Sequence, residues 1–230
     1  MNERDVSLAK SFADELVKSK DLTPLILNAR TTQFMRINLI LLKAMSSLMG
    51  MRGLVITIDR PSHYIAYLLK LHNISINNLT FVDIIAKFSS DRRSTSVGLE
   101  LLGEPFKIDN LPELLTHISS ASNSRPVDLN SFDFAIIDNL ATLMIYNGYP
   151  ATERFLRDFV HSTAIARGVI LPILVDREKH PFLYEIARSI SKKEVKIEDH
   201  RISSSLLSHD LTHSPSRSEF GKMNDKEAGI

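Results

Sequence analysis

Phe134-Ala135-Ile136-Ile137-Asp138-Asn139-Leu140 is the stretch on which the fold turns. Four apolar residues run into a carboxylate and then an amide. A short apolar run that stops at a turn residue reads as a strand buried on both faces, the kind that fills parallel sheets. Outward from it the chain repeats one unit, a short apolar strand followed by an amphipathic helix. Upstream lie Leu25-Ile26-Leu27-Asn28-Ala29 after Pro24, then Leu54-Val55-Ile56-Thr57-Ile58-Asp59, then Leu79-Thr80-Phe81-Val82-Asp83-Ile84. Downstream lie residues 169–175 and, with alternating valine and isoleucine, 194–198. The spacing predicts helices over 3–18, 33–49, 61–72, 111–120, 151–167 and 182–190.

Strands alternating with helices predict an α/β fold, with a mostly parallel β-sheet flanked by helices on both faces. Residues 1–199 read as a single domain. From about residue 200 serine, histidine and charged residues take over without a period, so 200–230 reads as a disordered C-terminal tail. The polar stretch 87–103, with Asp91-Arg92-Arg93, reads as a surface excursion.

Composition narrows the function classes. With 43% hydrophobic and 24% charged residues the chain has the make-up of a soluble globular protein. There is no cysteine, which removes disulfides, thiolate metal sites and cysteine nucleophiles. That is compatible with a cytoplasmic location, the expectation carried forward. The net charge of +1 gives no bulk pull toward nucleic acid or anionic membrane. The opening residues lack an apolar signal core, and the longest apolar run, 37–49, is too short to span a bilayer.

Four carboxylates fall at predicted strand ends: Asp59, Asp83, Asp138 and Asp176. Right-handed crossovers bring such ends to one edge, where ligands of open α/β folds bind. A hard divalent cation such as Mg²⁺ wants oxygen ligands of this kind. Asp is also common there simply as a turn and cap residue. Asp138 stands out, because apolar residues followed by an acid form the Walker B pattern, in which the carboxylate reaches Mg²⁺. Its partner should be a G-x-x-x-x-G-K-[ST] loop after the first strand. There the chain reads Asn28-Ala29-Arg30-Thr31-Thr32-Gln33-Phe34-Met35-Arg36, without glycine or lysine. Glycines let backbone amides converge on phosphate, and the lysine neutralises it. Arg30 or Arg36 is left to meet an anion and Thr31 or Thr32 a metal, and neither restores the cradle; Asp138, Asp59, Arg30 and Thr31 are the candidate nucleotide or Mg²⁺ contacts, with Asp138 the candidate metal ligand. Histidine spacing fits no metal motif, and no G-x-S-x-G elbow occurs.

The order of these segments, and above all Asp138-Asn139-Leu140-Ala141-Thr142-Leu143, resembles the RecA/KaiC-like ATPase superfamily over residues 22–198. It looks most similar to archaeal members that have lost the Walker A motif. The resemblance implies a RecA/P-loop-like three-layer sandwich, a ring or partner assembly, and a signalling or regulatory role. It implies Asp138 at the Walker B position and Asp59 near the place of a family acid that acts as a base. Asn139 departs from the usual serine, and nothing carries over at Walker A. The expectation is a pseudo-ATPase without a cofactor, acting through a protein partner or a homo-oligomer. The alternative is an enzyme that binds nucleotide or Mg²⁺ through its carboxylate edge. A receiver-like phosphoacceptor domain is a third reading, poorly supported by Lys179.

Overall fold

The structure is a computed structural model that describes residues 1–19, 22–83, 98–100, 129–165, 168–198 and 201–207. Helix α1 (Glu3–Lys18) starts where the Asn2 side chain accepts the Asp5 amide at 2.8 Å. Acids in its first turn and Lys18 in its last oppose the helix dipole. Then follow β1 (Leu25–Asn28), α2 (Phe34–Leu42), β2 (Gly53–Thr57), α3 (Ser62–Leu71), β3 (Leu79–Asp83) and β4 (Gly98–Glu100). After them come β5 (Phe134–Ile137), α4 (Leu140–Ile165), β6 (Pro172–Val175), α5 (Pro181–Ile190), β7 (Lys193–Glu198) and β8 (Arg201–Leu206).

The strands lie in the order β4-β3-β2-β5 and β6-β1-β7-β8. A parallel bridge between Phe134 and Ile170 joins the two halves at β5 and β6. Every pairing is parallel except β7 with β8. The expected architecture, a mostly parallel sheet flanked by helices, is what the chain forms.

Period-two alternation divides the strand residues between the faces. Leu25, Leu27, Val55, Phe81, Phe134, Ile136, Leu174 and Val195 share a core with α1, α2 and α3. Ile26, Leu54, Ile56, Val82, Ala135, Ile137, Ile173 and Val175 share another with α4 and α5. This follows from handedness. Crossovers running toward β4 place their helices on one face, and those running toward β8 place theirs on the other.

Several expectations need correction. The helix predicted over 33–49 starts with a 3₁₀ turn, Thr31–Gln33, and ends in π-helical turns, Lys43–Leu48. The helix predicted from 151 starts at Leu140, and its kink falls at Gly148, where φ is 74°. Only glycine takes that backbone without strain, and Pro150 then restarts the helix. Three residues of the stretch read as a surface excursion form β4 against β3. Residues 201–206, read as part of the tail, form β8, which pairs along all of β7. Its serines hid it, since an exposed edge strand needs no apolar alternation. The predicted helix 111–120, the rest of 87–103 and the tail beyond 207 lie outside the described residues.

Candidate functional site

Strands β3, β2, β5 and β6 are consecutive, and β5 is parallel to both neighbours. Their C-terminal ends therefore present Asp83, Asp59, Asp138 and Asp176 in a row along one edge. Asp83 closes β3 in register with Thr57.

Asp138 is 4% exposed. Its Oδ1 accepts the Ile58 amide at 2.7 Å, and its Oδ2 accepts the Asp59 amide at 3.2 Å. The carboxylate thus closes the turn that leaves β2. Its backbone carbonyl accepts from Asn38 Nδ2 at 2.9 Å, which seats α2 on the end of β5. Burial pushes the carboxyl up to about 7, although the amides of Ile58 and Asp59 pull it back and the Asp59 charge adds to the rise.

Asp59 is exposed, and its Oδ1 accepts the Thr142 hydroxyl at 3.2 Å. Asn139 caps α4, its Oδ1 accepting the amides of Ala141 at 3.1 Å and Thr142 at 3.3 Å. The structure therefore brings Asp59 and Asp138 together at the edge, with the Asp138 oxygens turned to backbone.

The segment after β1 carries the chemically decisive contact. Thr31 donates its amide at 2.7 Å and its hydroxyl at 2.8 Å to Asp176 Oδ2. Asp176 Oδ1 accepts the amides of Glu178 at 3.1 Å and Lys179 at 3.0 Å. Burial raises this carboxyl, but the amides of Thr31 and Lys179 outweigh it and hold it below the ordinary range. An internal carboxylate thus occupies the place where the start of the helix after β1 would meet an external anion. Arg30 is exposed and extended, φ −66° and ψ 136°. Its charge acts on Glu198, which the Lys196 ammonium chiefly holds below its usual range. Arg36 turns away from the edge and pairs with Asp5 at 2.6 Å.

These residues do not fit Mg²⁺ or a nucleotide triphosphate. Both Asp138 oxygens face amides, the Thr31 donors face Asp176, and the backbone there lacks the glycines of a phosphate cradle. Among the described residues no group of three or more His, Asp or Glu is placed to hold a metal ion.

Sequence reasoning named Thr31 and Asp176 separately and missed that they meet. It also missed Asn38, whose Oδ1 is buried without a hydrogen-bond partner. The available signal was a lone amide in the otherwise apolar run Ile37-Asn38-Leu39-Ile40.

Fold and edge together define an open, mostly parallel α/β protein in which Asp138 and Asp176 cap the chain's own turns. No family model matches the chain, and no curated protein matches it. Solved structures do. The uncharacterized protein PH0321 of Pyrococcus horikoshii, crystallised in complex with an unknown peptide, is 16% identical with a TM-score of 0.52. The match covers 80% of this chain and 82% of that one. PH0250 of Pyrococcus horikoshii OT3 is 13% identical with a TM-score of 0.51, over 86% of this chain and 94% of that one. These two share the fold. A KaiC-like protein, PH0186, from the same hyperthermophilic archaeon is 11% identical with a TM-score of 0.49, over 80% and 79%. No helix among the described residues is long and apolar enough to cross a membrane.

Proposed function

We propose that this chain is a non-catalytic RecA/KaiC-like protein, regulatory or signalling in role, that works through protein contacts and needs no nucleotide. One observation carries the reading: the Asp176 carboxylate sits on the Thr31 amide and hydroxyl. A phosphate would have to displace a charge-assisted, internally tethered acceptor that needs no translational entropy to bind. The position of Asp138 at the end of β5, with Asp59 in the turn that leaves the neighbouring strand β2, supports the family part of the reading. PH0321, a protein of the same fold, was crystallised with a peptide. That favours recognition of polypeptide as the activity.

The test is phosphate release from Mg·ATP by the purified full chain, beside Asp138→Ala. The expected result is release at the background rate in both. Turnover by wild type that disappears in Asp138→Ala would replace this reading with the alternative, an enzyme that uses its carboxylate edge.

A further inference from the structure

The described sheet ends in β8. Among the described residues no strand pairs with the outer edge of β8. Proteins guard such edges with proline, lysine, bulges or short length. Here the strand is six residues long, pairs one-for-one with β7 without a bulge, contains no proline, and carries one charge, Arg201, at its end.

The direction of its backbone groups follows from the ladder. Leu207 donates its amide to the Lys192 carbonyl at 3.0 Å, opposite in the β7–β8 register. Hydrogen-bonding direction alternates along an antiparallel strand. Arg201, Ser203 and Ser205 therefore bond inward to β7. Ile202, Ser204 and Leu206 turn their N–H and C=O groups outward. The same three side chains share the α1 face, where Ile202 borders the core and Leu206 is 71% exposed.

This outward row is symmetric about its middle: apolar, serine, apolar. We infer that a second copy of this chain adds its own β8 antiparallel to this edge, across a two-fold axis at Ser204. In that register Ser204 faces Ser204 of the other copy, and Ile202 faces Leu206. Each of these pairs exchanges two backbone hydrogen bonds. The exposed Leu206 gains an aliphatic neighbour on each copy. On the opposite sheet face Ser203 meets Ser205, and Arg201 meets Leu207, so no like charges oppose. Self-complementarity of this kind is what a two-fold interface requires, and it is why a second copy, rather than an unrelated strand, is the occupant. The result is one continuous sheet through both protomers. The inference rests on the reading that the chain acts through protein contacts, and it names one such contact.

Sedimentation velocity of the full chain across a micromolar dilution series tests it. Wild type is expected to show a reversible dimer. Ser204→Pro removes an outward N–H without touching a bond to β7. It should give a monomer whose circular dichroism matches that of dilute wild type. Register is tested by charge. Ser203→Glu with Ser205→Lys places opposite charges across the axis and remains compatible with Lys196 and Glu194 on β7. Ser203→Lys with Ser205→Lys places like charges there. The dimer constants of the two should differ by about tenfold or more, with the first tighter. A wild type monomeric throughout overturns the inference, as does a dimer indifferent to Ser204→Pro or to the charge pattern. None of these outcomes bears on phosphate release, so the two readings fail separately.

Discussion

Asp138 and Asp176 end neighbouring strands, yet their environments drive them in opposite directions. Asp138 is held at about 7 against an ordinary 3.8, so the folded state keeps a proton that the unfolded chain has lost. Its contribution to stability is therefore fully present below about pH 4 and is lost as pH rises through 7. The loss is on the order of a few kcal/mol. Asp138→Asn removes the charge and keeps an acceptor for the Ile58 amide. It is expected to flatten the fall of thermal midpoint between pH 4 and 7 and to raise the midpoint at pH 8; an unchanged slope would place the titration elsewhere. Asp176 has the opposite sign. Its carboxyl is depressed, so its contribution is present above the unfolded value and is lost as pH falls through the folded one. Asp176→Ala leaves the amides of Thr31, Glu178 and Lys179 without this acceptor, at a cost of about 1–3 kcal/mol. It also uncovers the Thr31 donors. Inorganic phosphate should therefore raise the thermal midpoint of Asp176→Ala more than that of wild type; equal shifts would deny that the carboxylate stands in an anion's place. The sequence made both acids legible as strand ends. It could not pair Asp176 with Thr31, because that contact joins residues 145 apart through a strand order that local pattern does not encode.

At the scale of elements, β2 depends on a missing side chain. Gly53 begins the strand opposite Phe134 of β5, and a Cβ there would stand 2.0 Å from the tip of the Phe134 ring. Gly53→Ala should destabilise by about 1–3 kcal/mol or more through overpacking. Adding Phe134→Leu should recover part of that loss, and strictly additive penalties in denaturant titrations would contradict the contact. The buried strands and α1 were legible because burial writes itself as apolar runs and helical periodicity. The first part of α4 was not read, because Gly148 and Pro150 interrupt the helical pattern and local sequence does not reveal that helix lies on both sides of them. Strand β8 was illegible for a different reason. Its register comes from β7, with Val195 facing Ser204, and from the Glu15–Lys193 ion pair that anchors α1 beside it. None of that is local to Arg201–Leu206.

The whole molecule is a mostly parallel sheet covered by helices on both faces, and at the ends of β2, β5 and β6 the chain supplies partners to its own turns. Parallel α/β sheets bind ligands beyond the C-terminal ends of their strands because amides and helix starts there lack partners. Among the described residues three such sites have partners supplied by the chain: Asp138 for the turn after β2, Asp176 for the start of the helix after β1, Asn139 for α4. On the proposed reading, a chain built this way acts through its surfaces. Calorimetric titration of the full chain with Mg·ATP tests that claim most directly. The account predicts no saturable heat in wild type. Saturable binding at micromolar ATP, lost in Asp138→Ala, would show that the edge opens to nucleotide and would contradict it.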